Sequence, residues 1–302
     1  MSASPAHRTR RAPLLAGFAL LALALAACSS SSQVGSYQYH WEYFWRSIFQ
    51  PDARILGGLW LTLSISVTSQ VLGVALGTFA AIGKLAALRP VRMLAGFYVW
   101  LFRGTPLVVQ IVFFFYGLSA TRIYRWPDLN LFGLSIPGEV QAGIFALGVN
   151  EGAYMAEIVR AGILSIDAGQ MEAAKSLGMT YPLAMRRIVL PQAARVIVPP
   201  LGNEFNNMLK TTSLLVLISV PELYYVFNTL QGQYFAPFEF FLAAAVWYLL
   251  LTTIWGLIQS RIERRLSRGV AGAAEVGPSL RERLFGTRLG GAEEPSPVSG
   301  GR

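Results

Sequence analysis

The sequence predicts an all-α polytopic membrane protein with five core spans, and three observations predict it. Apolar residues make up 54% of the chain and charged residues only 14%, where a soluble domain carries nearer a quarter charged residues; mean hydropathy is accordingly +0.47. Five apolar stretches each approach the roughly 20 residues that cross about 30 Å of hydrocarbon. The basic residues gather in alternate connections between those stretches, as the positive-inside tendency of cytoplasmic loops requires.

The amino end comes first. Arg8, Arg10 and Arg11 precede an apolar run from Pro13 to Ala27, closed by Leu25-Ala26-Ala27-Cys28 and a serine run. The run is short for a span and resembles a bacterial lipoprotein signal, with Cys28 the candidate lipidation site. Residues 1–28 are thus a signal-like segment or an extra span entering from the cytoplasm, and both give the core the same orientation. Residues 29–54 hold Trp41, Phe44 and Trp45 at helical spacing and are expected along the outer interface, where amphipathic rings are comfortable.

The spans follow in order. The first runs from about Ile55 to Ile82 and ends at Lys84, Arg89 and Arg92. The second, Met93 to Leu118, is interrupted by Arg103-Gly104-Thr105-Pro106, a stretch that should break the helix. That break either faces protein or a water-filled cavity, or is a tight turn near the interface with Arg103 snorkelling. With helix resuming beyond it, the face on which Gln110 lies is not fixed. The third span, Val140 to Leu164, carries Asn150, Glu151, Tyr154, Glu157 and Arg160. Glu157 and Arg160 are three apart and can pair on one helix face, whereas Glu151 has no such local partner. The fourth, Val196 to Val220, contains Asn203, Glu204, Asn206, Asn207, Lys210, Thr211, Thr212 and Ser213. That is too polar to face lipid, so this helix lines a subunit seam or a solute path, or bonds its neighbours. The fifth runs from about Phe240 to Ile258, and residues 269–302, rich in Gly, Ala, Glu, Arg and Pro, are expected as a disordered tail.

Charge sets direction. Lys84, Arg89 and Arg92, then Lys175, Arg186, Arg187 and Arg195, then Arg261, Arg264, Arg265 and Arg268 mark the cytoplasmic side. Ser119 to Gly138 and Pro221 to Glu239 face outward, so the core begins outside and ends in the cytoplasm.

Between spans three and four lies a loop, residues 167–191, of another character. Asp167 with Gln170 is a candidate capping box, Met171 to Leu177 continue a helix of about three turns, and Gly178 is placed to close it in a left-handed conformation. Pro182 fits the first turn of a second short helix, which Pro191 should end.

Several classes are excluded. The net charge of +9 is scattered between apolar runs and reflects loop orientation instead of nucleic-acid binding. One cysteine excludes a disulfide framework or a cysteine metal cluster, and His7 and His40 lie outside the apolar body, so no metal site is expected. No Gly-rich phosphate loop or catalytic constellation appears, so the chain is not expected to be an enzyme or to bind a cofactor.

The loop from Glu172 to Pro191 fits E-A-A, three residues, Gly, nine residues, I-x-L-P, and so resembles the coupling loop of ABC-transporter permease subunits. R-G-T-P-L-V-V-Q from Arg103, A-Y-M-A-E-I-V-R-A-G-I from Ala153 and N-N-M-L-K-T-T-S-L from Asn206 look like the polar amino acid branch, which takes His, Glu, Gln, Arg and opines. The resemblance covers 55–268 and implies a type I importer fold in the bacterial cytoplasmic (inner) membrane, surrounded by membrane lipid. It implies as partners a pair of ABC ATPase subunits that use ATP and Mg, a second permease subunit and an extracellular solute-binding protein. It implies ATPase coupling through Glu172, Ala173, Ala174, Gly178, Ile188, Leu190 and Pro191. The candidate solute path comprises Arg103, Thr105, Gln110, Glu151, Tyr154, Glu157, Asn203, Asn206, Lys210, Thr212 and Ser213. An ion-coupled secondary transporter and a membrane-anchored lipoprotein or scaffold are the alternatives; neither accounts for the register from E-A-A to L-P.

Overall fold

A computed structural model describes residues 37–131 and 133–267. The signal-like segment with Cys28 and the tail 269–302 lie outside the described residues.

The elements are α1 (Trp41–Phe49), α2 (Ala53–Leu85), α3 (Arg89–Gly104), α4 (Leu107–Ala120), a hairpin of β1 (Leu129–Leu131) and β2 (Leu134–Ile136), then α5 (Gly138–Leu164), α6 (Ala168–Ser176), α7 (Tyr181–Ile218), α8 (Leu223–Tyr234) and α9 (Pro237–Ser267). Among the described residues, α2 and α9 are by themselves long and apolar enough to cross a membrane, and the α3–α4 and α7–α8 pairs, bent by 105° and 52°, raise the number to four if each pair is one span. The third expected span, α5, is less apolar because it carries Glu151, Glu157 and Arg160, but more than half of its 27 residues are buried. It is the central helix, sheltered by its neighbours instead of by its own hydropathy.

α2 and α5 pack along most of their length. The cause is a pair of small-residue steps, Gly73 with Gly77 on α2 and Gly148 with Gly152 on α5, which let the backbones approach where lipid supplies no hydrophobic drive. A Cβ at Gly77 would lie 2.3 Å from Met155 Cβ and 2.8 Å from the Gly152 carbonyl oxygen, and one at Gly148 would lie 2.6 Å from Leu72. The fit is one of backbone against side-chain stems.

Two apolar clusters flank this pair. One gathers Phe44, Ile55, Phe227, Leu230 and Phe240, tying α1, α8 and α9 to the start of α2. The other gathers Ile65, Ile111, Leu147, Met208 and Leu215, where α4, α5 and α7 meet α2. Glu222 sits between them, fully buried as the N-cap of α8. Its carboxylate accepts from the Tyr224 and Tyr225 N–H groups, from Thr62 Oγ1 at 3.3 Å and from Tyr248 OH at 2.8 Å, so one charge joins α2, α8 and α9. A buried carboxylate is tolerated when its lone pairs are filled in this way.

Two expectations need revision, on Pro191 and on the capping box, and two connections hold more structure than the sequence signals. The connection after α4 holds a short hairpin: β1 and β2 pair antiparallel with Leu131 opposite Leu134, and Gly133 turns the chain at φ +81°. Pro191 does not end a short second rod. The helix from Tyr181 continues through Met185–Val189 as a wide π turn and on to Ile218, with Pro199 and Pro200 inside it, so the fourth span begins before Val196. The wide turn lies directly before Pro191, where an α-helical ring would strike the carbonyl four residues back, and Gln192 Nε2 covers the Ile188 carbonyl at 3.0 Å. The capping box forms only half: Asp167 Oδ1 accepts from the Gly169 N–H at 2.6 Å, while Gln170 Oε1 accepts from Gln192 Nε2 at 3.4 Å instead of reaching back. In the stretch 221–239, expected to face outward, Glu222 and Glu239 are buried. Glu239 accepts from Tyr37 OH and, at 2.6 Å, from the His40 N–H, pinning the aromatic segment to α9.

Candidate functional site

The break between α3 and α4 begins with a missing donor. In a continuous helix the Phe102 carbonyl would accept from residue 106, which is proline and has no N–H. Two side-chain amides take its place: Gln110 Nε2 donates to Phe102 O at 2.9 Å and Asn150 Nδ2 donates to it at 3.1 Å. Gln110 Nε2 also donates to the Thr105 carbonyl and hydroxyl, and its own carbonyl accepts from Asn150 at 3.0 Å. Thr105 Oγ1 donates in turn to Leu101 O. This network holds a 105° bend against α5 and opens a space behind it. Gln110→Leu, which keeps the volume and strips every bond, is expected to cost about 2–3 kcal/mol, read as a lowered thermal midpoint of the detergent-solubilised protein.

The space is a cavity of about 780 Å³ walled by the break (Arg103 to Leu107), by Leu147, Asn150, Glu151 and Tyr154 of α5, and by Glu204, Asn207, Met208, Lys210 and Thr211 of α7. The Arg103 guanidinium lies 5.2 Å above the Tyr154 ring, a cation–π geometry. Glu151 is 6% exposed and accepts from Gln70 Nε2 at 3.0 Å. Gly73 allows this, because a Cβ there would lie 2.5 Å from Glu151 Cγ. The cavity therefore collects two cations and two carboxylates on three elements, with Tyr154, Asn150, Asn207 and Thr211 between them.

Of the eleven candidate path residues, Arg103, Thr105, Glu151, Tyr154 and Lys210 line this cavity. Gln110 stands behind the wall and holds it. Glu157 lies farther along α5, paired with Lys84 of α2 and, at 2.8 Å, with Arg160. Asn203 is exposed and accepts from Gln259 of α9 at 3.1 Å, while Asn206 leaves its buried Oδ1 without a partner. Thr212 is buried and bonded back to Leu209 O. Ser213 lines a second space of about 390 Å³ with Lys210, Tyr224 and Tyr248. Asn150, Glu204, Asn207 and Thr211 are wall residues that the candidate set lacks. Asn150 carries a signal in its spacing, since an amide four residues before Tyr154 stands on the same helix face.

The loop after α5 has two parts. α6 is capped by Asp167 and closed by Gly178 at φ +81°, with Met179 N–H donating to Ala174 O and Gly178 N–H to Lys175 O. These two bonds satisfy carbonyls that the helix end would otherwise orphan. Only Ala174 of α6 is buried, and the helix packs on the start of α7. Glu172 and Ala173 are exposed, Leu177 is 82% and Tyr181 57% exposed, and Leu190 and Pro191 are exposed while Ile188 is half-buried. An apolar, partly charged knob stands out from the body at the end of α5. The rod of α5 thus carries cavity residues at Glu151 and Tyr154, the Lys84–Glu157–Arg160 ion cluster below them, and this knob beyond Leu164.

Comparison with known proteins agrees with this geometry. Residues 73–268 match the family described as binding-protein-dependent transport system inner membrane component. The chain is 38% identical over 256 residues to the arginine transport system permease protein ArgU of Corynebacterium glutamicum, covering 83% of this chain and 79% of that protein. It is 34% identical over 227 residues to the glutamate/aspartate import permease protein GltK of Escherichia coli, covering 74% and 99%. Among solved structures, an amino acid ABC transporter superposes with a TM-score of 0.63 at 36% identity over 72% of this chain and 97% of that one. The MetNI methionine ABC transporter superposes at 0.59 with 21% identity over 72% and 99%, a likeness of fold alone.

Proposed function

The chain belongs to the family of binding-protein-dependent transport system inner membrane components, and on that premise we propose that it forms the transmembrane path of an ATP-driven importer of polar amino acids. The observation that carries the reading is the combination, on one helix, of a charged cavity at Glu151 and Tyr154 and an exposed, Gly-closed helix beyond its end. An ATPase pair grips the knob through Glu172, Ala173 and Gly178, while the buried Ala174 seats α6 on the body and Ile188, Leu190 and Pro191 set the start of α7 against it. The partner, not this chain, binds and hydrolyses ATP with Mg. A second permease subunit completes the path and an external solute-binding protein delivers the amino acid. The core begins outside the bacterial cytoplasmic membrane and ends in the cytoplasm, which places α6 on the ATPase side, among Lys175, Arg186 and Arg187.

Movement follows from connectivity. α6 is joined to α5 by three residues, 165–167, and packs on α7, so displacement of α6 tilts the two helices that supply most of the cavity wall. Hinge or rocking motions of packed helices are the usual carriers of such switching. The test is co-purification from the native membrane. An ATPase is expected to accompany the wild-type chain and to be lost when Glu172 is changed to Lys together with Gly178 to Val. An ATPase that stays bound to that double variant contradicts the assigned grip.

A further inference from the structure

The relatives carry, by name, amino acids of opposite charge, so the side-chain class has to come from the cavity itself. We infer that the cavity selects a cationic amino acid, with Glu151 receiving the positive end of its side chain; this rests on the reading of the cavity as the solute path.

The four charges of the wall are not spent on one another. The ion pairs among the described residues join Asp52 with Arg54 and Glu157 with Lys84 and Arg160, and include none of Arg103, Lys210, Glu151 or Glu204. Any amino acid brings one carboxylate and one ammonium, which engage one wall charge of each sign. What distinguishes the remaining two is burial. Arg103 and Lys210 are exposed, and Arg103 already rests on the Tyr154 ring, so neither is held as deep in the wall as Glu151. Glu151 is the most buried of the four and receives a single hydrogen bond, from Gln70. Gln70, itself 6% exposed, leaves its own carbonyl oxygen with no donor. Gln70 stands behind the wall, so the acceptor that faces the cavity is the Glu151 carboxylate, deep in the wall and short of donors. The stem of Glu151 lies over Gly73, where an added Cβ would stand 2.5 Å from its Cγ, so the glycine gives the carboxylate its place at this depth.

A group made only of donors answers that need. A guanidinium offers five N–H donors in a planar fork and no acceptor, and an ammonium offers three. A glutamine side chain would bring its own acceptor into the same corner, and a glutamate would set carboxylate against carboxylate. A site whose buried polar groups are left unpaired by the wrong ligand rejects it strongly.

The experiment measures binding of radiolabelled L-arginine, with unlabelled L-glutamine and L-glutamate as competitors, to the full-length chain purified with its accompanying subunits and without the solute-binding protein. The wild type is expected to prefer arginine over glutamine by at least about tenfold. Glu151→Gln should cut that arginine-to-glutamine preference by about tenfold, and Glu151→Asp should retain most of it, both variants eluting as the wild type does on size exclusion. Equal affinity for arginine and glutamine in the wild type, or Glu151→Gln weakening both amino acids alike, overturns the inference while leaving the solute path standing. A wild type that binds none of the three overturns the solute path and the inference with it.

Discussion

Gly178→Val is expected to lower ATP-driven uptake by at least about tenfold while the complex continues to hydrolyse ATP. Gly178 adopts φ +81° with open space where a Cβ would lie, so the whole penalty falls on the backbone. A side chain in the left-handed region costs roughly 1–2 kcal/mol, more when β-branched. α6 has little with which to absorb that loss. It is nine residues long with one of them buried, and an isolated helix of that length is marginal in water. Losing the two bonds that close its end should therefore fray the helix at Lys175 and Ser176 and blunt whatever grips it. Gly178→Asn is the discriminating companion, since asparagine tolerates the left-handed region; it should recover most of the uptake. Uptake of the valine variant at the wild-type rate would contradict the role given to α6.

Gly77→Leu is the second large effect, on folding. Its new Cβ would stand 2.3 Å from Met155 Cβ, 2.8 Å from the Gly152 carbonyl oxygen and 2.9 Å from the Ala156 nitrogen. Two of those three contacts are backbone, so no rotamer change relieves them and α2 must leave α5. Overpacking in a close-fitted core commonly costs 1–3 kcal/mol and exceeds that where nothing can move; a loss above about 3 kcal/mol is expected, measured as lost monodisperse protein or a collapsed thermal midpoint. Gly57→Leu, on the same helix but with nothing within 4 Å, should stay within about 0.5 kcal/mol of the wild type. Equal behaviour of the two variants would contradict the close approach of α2 and α5.

Much of this molecule is legible in its sequence because lipid leaves the backbone few options. Helix breaks at Arg103 to Pro106 and at Gly178 follow from residues that cannot continue a helix, and the apolar runs and charge bias locate the spans. The parts that were not legible depend on what lies across from a residue. Gln110 needed the 105° bend before its face meant anything, and its bonds to Phe102 and Asn150 cross between helices. Glu222 occurs in a connection that the charge pattern assigns to the outside, yet four donors on three helices keep it buried. Pro191 breaks a helix by local rule, but the π turn before it supplies the room that rule assumes absent. Polarity likewise marked α7 as a whole without separating Glu204 and Lys210 on the cavity wall from Asn203 and Thr212 away from it.

The measurement that bears most directly on the account is uptake into proteoliposomes holding this chain with the subunits that purify with it, supplied outside with labelled L-arginine and its solute-binding protein. Accumulation should require ATP and Mg on the side that α6 faces and should persist when ionophores abolish every ion gradient. Accumulation driven by a proton or sodium gradient without ATP would contradict it.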